Sequence, residues 1–406
     1  MRPRLTPYRR SLKDTPMSAL KALFLLDPDI VFLNHGSFGA CPLPVFETYQ
    51  TWQRALERQP VAFLGRQAAA LLAHARAQLA AYLGVAADDV VYFPNPTTAI
   101  NMVARNLPLR PMDEILTTDH EYGAMDRTWR FLCRQTGARY VRQPIPLPVT
   151  DADAWVETFW QGVTDRTKVI FLSHITSPTA LTFPVEAICH RARAAGVLCI
   201  VDGAHAPGHI PLHLPAIGAD LYTGACHKWL CAPKGAAFLY ARPEVQHWLE
   251  PLVVSWGYES SQLSGSQFIN YHEWQGTRDL AAFLTVPTAI EFQTQHGWAA
   301  VRQQCHQLAC TTRQRLNVLT GLEPICPDSP QWFTQMFAAR LPAHTDLEAL
   351  KQRLYEDYRV EVPMISWNGQ KFIRVSFQGY NTPGDADTLV VALERLLQAS
   401  PLEPSR

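Results

Sequence analysis

The chain predicts an α/β fold: a seven-stranded, mostly parallel, doubly wound sheet in a large domain, followed by a smaller α+β C-terminal domain. Three observations carry this. Between residues 90 and 241, short strand-like runs alternate with helical stretches, the pattern of a parallel sheet with crossover helices. Several of these runs are apolar throughout rather than at every second position, as Leu198 to Val201 is, which suits strands covered on both faces. After Tyr240 the pattern stops, and from about residue 295 one long helix to Leu319 leads into mixed strands and helices. The expected division is a basic arm at 1–16, a large domain at 17–290 whose N-terminal segment packs on the small domain, and a small domain at 291–406.

Residues 1–16 are basic and broken by prolines, so they read as a disordered arm, and Met17 offers an alternative start. A signal peptide needs a longer apolar core than Ala22 to Leu26 supplies. Ile30 to Leu33 is a short strand entering Asn34-His35-Gly36-Ser37-Phe38-Gly39, where two glycines let the backbone approach a ligand. Residues 42–84 read as two helices, the first opened by Pro42 and Pro44. On the second, Leu64, Leu71, Leu72, Leu79 and Leu83 form a core stripe.

Val90 to Phe93 is a strand, and Pro94-Asn95-Pro96-Thr97-Thr98 turns it into a helix from Ala99 to Leu107. Such a helix start presents free N–H groups and a positive dipole end, suited to phosphate; an ordinary N-cap explains Thr97 equally well. Glu114 to Thr118 delivers Asp119-His120-Glu121-Tyr122-Gly123-Ala124 to the same rim, where an aromatic side chain can stack on a ligand ring. A helix at 125–136, a strand from Arg139 to Gln143, a proline-rich loop from Pro144 to Pro148 and a helix at 151–162 follow. Lys168 to Ser173 is a buried strand ending near Ser177, itself an ordinary start for a turn before Pro178. A helix from Val185 to Ala195 returns the chain to the strand at Leu198.

That strand brings Asp202 to the rim, with His205 three residues on. A second strand, Asp220 to Gly224, leads to Lys228 between His227 and Trp229. A carboxylate at a strand end can hold a pyridine nitrogen protonated, as an electron-sink ring requires, and His205 is within reach of that ring's phenolate oxygen. A partly desolvated lysine amine can attack a carbonyl to form a Schiff base. The cofactor these residues fit is pyridoxal 5′-phosphate. Taken singly, each is commonplace, a turn Asp or a snorkelling Lys; the specificity lies in the combination. Only seven lysines stand against 29 arginines, and Lys234 in the Pro-Lys-Gly turn is the main competitor.

In the second domain, Met364 to Asn368 and Phe372 to Phe377 form a hairpin around Asn368-Gly369. Arg374 lies inside it between Ile373 and Val375, so its guanidinium projects to the opposite face, where it can clamp an α-carboxylate.

VDGAHAPG at 201–208 followed by TGACHKWLCAPKGAAFLY at 223–240 resembles the class V aminotransferase superfamily, pyridoxal-phosphate enzymes of fold type I, and within it the isopenicillin N epimerase-like branch. The resemblance covers about residues 30–395. It implies that Thr97 and Thr98 hold the phosphate and that Asn34 and His35 line the substrate end. It also implies that Ser177 meets the phenolate oxygen and that His227 belongs to the cofactor shell. Tyr122 takes the stacking position, with His120 as the second choice. Thr277, otherwise a helix cap before Thr285 to Phe292, reaches the phosphate of a neighbouring subunit, which implies a homodimer. Arg374, in RVSFQGYNT, matches the carboxylate-binding motif.

The expected chemistry is removal of a Cα proton by Lys228, with Arg374 orienting the carboxylate, and its return by a second acid, Tyr122 or His35. A C–S lyase of the ergothioneine-pathway type and an aminotransferase share these residues. The resemblance argues against a cysteine desulfurase, since in those relatives the nucleophilic Cys lies in a loop shortly before the carboxylate-binding Arg, and no Cys lies between Cys326 and Arg374. A non-catalytic binding module is disfavoured by the joint presence of Asp202, His205, Lys228 and Arg374. With 36 basic and 36 acidic side chains, no electrostatic argument for nucleic acid or an anionic membrane survives. No apolar run reaches the roughly 20 residues of a membrane span. Nine scattered cysteines without a CxxC pair point to reduced thiols in a cytoplasm and away from a structural zinc.

Overall fold

Alternate side chains of the strands in the large sheet enter two different apolar cores, which is why these strands read as unbroken apolar runs. Val90 and Tyr92 pack on one side while Val91 and Phe93 pack on the other; Cys199 and Val201 are likewise separated from Ile200. Each such buried Val, Ile, Leu or Phe side chain contributes about 1.5–3 kcal/mol. The computed structural model describes residues 20–260 and 264–398, so the basic arm expected at 1–16 lies outside the described residues.

The strands are β1 (Val31–Phe32), β2 (Val90–Phe93), β3 (Glu114–Thr118), β4 (Arg139–Gln143), β5 (Thr167–Ser173), β6 (Leu198–Gly203), β7 (Leu221–Ala225) and β8 (Ala237–Ala241). Seven of them form one sheet in the order β2-β8-β7-β6-β5-β3-β4. Only β8 runs antiparallel to its neighbours. The expected mostly parallel, seven-stranded sheet is therefore the observed one. Helices Ala68–Leu83 and Val185–Ala194 cover one face, and Pro96–Asn106 and Gly123–Thr136 the other. The carboxyl ends of β2, β3, β5, β6 and β7 share one edge, where doubly wound sheets bind ligands.

Local departures from expectation have local causes. The helix after β2 starts at Pro96, because Asn95 caps it by accepting from Thr98 N–H, so Thr97 is not the cap. Pro60 and a π-turn at Phe63–Gln67 interrupt the stretch between helices Leu43–Arg58 and Ala68–Leu83. That turn shifts the helical register, and Leu64 and Leu71 are only partly buried while Leu72, Leu79 and Leu83 are core.

Toward the C-terminus lie the helix Trp298–Thr320, then β9 (Met336–Leu341), β10 (Val360–Glu361), β11 (Met364–Trp367) and β12 (Gln370–Ser376). β11, β12 and β9 form an antiparallel sheet, and the hairpin turn puts Asn368 and Gly369 at φ 45° and 73°, both left-handed as a two-residue loop of this type needs. β1 pairs in parallel with β10, and Asn34 bridges to Ser376. The N-terminal segment is thus fastened to the small C-terminal sheet rather than to the large one. Trp367 Nε1 donates to Asp119 O at 2.8 Å, tying the hairpin to the loop after β3.

Candidate active site

At the carboxyl edge a cavity of about 280 Å³ opens between the two sheets. Lys228 enters it from the turn after β7, and the chain around that turn is packed too tightly for side chains. Gly39, at φ 71°, lies so close that an added Cβ would sit 2.8 Å from Lys228 Cα and collide with His227 O. Gly39→Ala is therefore expected to destabilise the protein by about 3 kcal/mol, combining left-handed strain with overpacking. Thermal melts should register that loss together with reduced cofactor occupancy; an unchanged melting temperature would contradict the close packing.

Lys228 Nζ lies 3.2 Å from His205 Nε2. Desolvation, helped by the Arg374 charge and opposed by Asp202, brings the amine down to about 8. His227 lines the cavity and its Nδ1–H donates to Ala236 O at 3.0 Å, leaving Nε2 free to accept. Burial takes its imidazole down to about 4, so it is neutral. Lys234 does not line the cavity; its Nζ donates to Gly39 O at 2.9 Å.

Asp202 stands at the end of β6 and is buried in the cavity wall, with Oδ1 accepting from Ala204 N–H at 2.9 Å. Burial raises its carboxyl, and the Lys228 charge opposes that rise. Beside it in register is Ser173, which also lines the cavity and was not expected from the sequence. Ser173 N–H and Oγ–H both donate to Glu121 Oε2, at 2.9 and 2.6 Å, and Thr118 Oγ1 donates to Oε1 at 2.7 Å. Glu121 thereby staples the ends of β3 and β5 together directly beside Tyr122. Burial pushes its carboxyl up to about 7 against these hydrogen bonds.

The other wall is the start of helix Pro96–Asn106, with Asn95, Pro96 and Thr97 on the cavity. Thr98 is turned away, its N–H and hydroxyl both engaged by Asn95 Oδ1 at 2.8 and 3.1 Å. The phosphate-suited groups here are Thr97 and the positive end of the helix.

Opposite, Arg374 is buried and lines the cavity. Nη1 donates to Ser177 O at 2.6 Å and lies 3.2 Å from Ser177 Oγ, while Nη2 donates to Ser37 Oγ at 3.1 Å. Nε has no partner, and among the described residues no carboxylate pairs with this guanidinium. Burial lowers it to about 10. A buried cation without its anion is costly, so the arrangement calls for an anionic ligand.

Several sequence expectations land elsewhere. His35 does not line the cavity: it is fully buried behind Lys228, donating from Nε2 to Lys228 O and accepting at Nδ1 from the Tyr380 hydroxyl, each at 3.0 Å. Burial takes it down to about 3, so it holds the lysine backbone and offers no proton to a ligand. Asn34 lies one layer back: Nδ2 donates to Glu361 Oε1 at 3.0 Å, and Oδ1 accepts from Ser37 Oγ at 2.5 Å. Gly36, Ser37 and Phe38 face the cavity instead. His120 is buried against Thr179 and Ile145 O, away from the cavity, whereas Tyr122 lines it and is 48% exposed at its mouth. Ser177 lines the cavity with its carbonyl committed to Arg374. Thr277 is exposed and does not line the cavity of its own chain.

These residues fit pyridoxal phosphate: a lysine amine and a buried carboxylate share one cavity, and a helix N-terminus with Thr97 forms its third wall. His205 lines the same cavity 3.2 Å from the Lys228 amine, its imidazole driven well below the usual range by burial and the Lys228 and Arg374 charges.

The family described as Aminotransferase class-V matches residues 45–389. An isopenicillin N epimerase of Amycolatopsis lactamdurans is 38% identical over 384 residues, covering 91% of this chain and 96% of that protein. A probable chloroplastic L-cysteine desulfhydrase of Arabidopsis thaliana is 28% identical, covering 92% of this chain and 84% of its own. Among solved structures, the apo cysteine desulfurase of Thermococcus onnurineus NA1 superposes with a TM-score of 0.80 at 19% identity, over 94% of this chain and 98% of that one; this likeness concerns the fold.

Proposed function

The chain belongs to the class V aminotransferase family and is a pyridoxal-phosphate-dependent enzyme, and from that premise we propose that it removes and returns the Cα proton of an amino acid or amino-acid conjugate, as an isopenicillin N epimerase-like enzyme. One observation carries the removal of a Cα proton: a buried Arg374 with an unpartnered Nε and the Lys228 amine face the same cavity; the likeness to an isopenicillin N epimerase favours the return of that proton. Bound pyridoxal phosphate supplies an electron sink for the carbanion left at Cα. Arg374 binds the substrate carboxylate and fixes the orientation of the Cα–H bond. Asp202 holds a proton on the pyridine nitrogen. Lys228, lowered to about 8, takes the Cα proton. Of the two groups considered for returning a proton on the other face, Tyr122 lines the cavity and His35 does not, which favours Tyr122.

Among the described residues no cysteine lines the cavity, and Cys326 accepts from Arg313 Nη1, which supports a reaction without a thiol nucleophile. We take the working form to be a homodimer in which Thr277 reaches the neighbour's phosphate. Support comes from exposed apolar side chains before it, Val254 at 69% and Trp256 at 87%, which a second copy would cover. All nine cysteines are free, in keeping with a reducing cytoplasm, and among the described residues no helix is long and apolar enough to cross a membrane.

The test is incubation of cofactor-loaded protein in heavy water with isopenicillin N and a panel of amino acids and sulfur conjugates, followed by NMR. Deuterium at Cα, an intact skeleton and both epimers are the expected result. Release of a sulfur fragment with pyruvate would replace this reading by a C–S lyase, and loss of the amino group to an acceptor by an aminotransferase.

A further inference from the structure

Trp229 directly follows the cofactor lysine, is fully buried and does not line the cavity. Its indole Nε1 lies 3.2 Å from His205 Nδ1, and His205 Nε2 lies 3.2 Å from Lys228 Nζ. An indole N–H can only donate, so His205 Nδ1 carries the lone pair, and the single proton of the neutral imidazole is on Nε2. That Nε2–H in turn donates to Nζ, which accepts only as a neutral amine because an ammonium has no lone pair. We infer that Trp229 is a positioning residue that fixes the Nε2–H tautomer of His205 and, through it, favours the neutral form of the Lys228 amine, the form that attacks the cofactor carbonyl.

The opposite arrangement, an ammonium donating to Nε2, would make both ring nitrogens acceptors at once. That requires an imidazolate, so it forces one of the two hydrogen bonds to break. The indole is itself held by several contacts. Trp229 stacks on His209 with ring centroids 3.9 Å apart and 18° between planes, and its carbonyl accepts from Gln293 Nε2 at 2.7 Å. His209 Nδ1–H donates to His205 O at 3.0 Å, and His209 Nε2 accepts from Gln335 N–H at 3.1 Å, so the ring backing the indole is pinned at both nitrogens. Gly208 leaves no room for a side chain against Trp229 O. Because Trp229 stays outside the cavity, the tautomer persists once the lysine amine is consumed, and Nε2–H is then free for a ligand oxygen. The inference rests on Lys228 as the cofactor lysine and is independent of which Cα reaction follows.

The test is nitrogen NMR of the full-length protein, with and without pyridoxal phosphate, labelled at histidine and assigned by comparison with His205→Gln. Wild type should show His205 with an unprotonated Nδ1 and a protonated Nε2. Trp229→Phe should give a tautomer mixture and slow capture of pyridoxal phosphate about three- to tenfold, the effect of one lost buried hydrogen bond. If the phenylalanine leaves a packing defect, benzothienylalanine at position 229 keeps the shape and removes only the N–H. A proton on Nδ1 in wild type, or unchanged His205 shifts in either variant, overturns the inference. Absent deuterium exchange at Cα with the tautomer intact would instead count against the proposed reaction.

Discussion

Lys228→Ala is expected to lose the absorbance band of lysine-linked pyridoxal phosphate and to lower turnover on the order of 10⁴-fold or more. The size follows from the cavity having one amine among its lining residues. Lys234, six residues on, points elsewhere and donates a hydrogen bond to Gly39 O, so it cannot substitute. The variant should keep the rest of the cofactor site. Thr97 and the helix start remain on one wall and Asp202 on the other, held without the lysine side chain, and His205 keeps its contact to Trp229. Reversible, dialysable cofactor binding is therefore the expected residue of function, and borohydride should trap cofactor on wild type alone. A variant that retains the lysine-linked spectrum would show that another amine carries the cofactor.

How much of this was legible in the chain depends on the kind of residue. The large sheet could be read because strands such as β2 feed two cores at once and cannot afford a polar position. Asp202 and Lys228 stood out for the same reason, as polar groups where an apolar run ends at the rim. Ser37, Asn95, Ser173 and Glu121 gave no such signal. Serine and asparagine at a strand exit usually make a cap or a turn, and Asn95 does cap its helix while also facing the cavity. Ser37 reaches Arg374 only because β1 pairs with β10, a contact across more than 300 residues that no local pattern encodes. His35 misled for the converse reason. Between an asparagine and a glycine it reads as an exposed polar edge, but Tyr380 and the Lys228 carbonyl take both its nitrogens and bury it. Glu121 was detectable in principle, as an acid beside Tyr122 at the same rim, yet its role emerged only when Ser173 and Thr118 closed around it.

Arg374→Met should separate binding from stability, weakening the first while leaving the second nearly unchanged or raised. Truncating one partner of a buried charge pair costs roughly 2–5 kcal/mol, so kcat/KM should fall about 100- to 1,000-fold, mainly through KM. Arg374→Lys should recover little of that, since a point charge cannot make two parallel hydrogen bonds to a carboxylate. The free protein should respond differently. Wild type holds a guanidinium with an unpartnered Nε and no carboxylate partner, which burial already lowers to about 10. A methionine of similar length removes that desolvation cost and gives up hydrogen bonds to Ser177 and Ser37. The two nearly cancel, and the variant should melt within about 1 kcal/mol of wild type or above it. Thermal melts without substrate, set beside steady-state kinetics, read both quantities. A strongly destabilised variant with unimpaired kcat/KM would make Arg374 a brace between the Ser177 and Ser37 loops and remove it from substrate binding. The expected pair of signs follows from a cation held in place by neutral oxygens: the fold bears the cost of burying its charge, and the substrate carboxylate supplies the compensating anion.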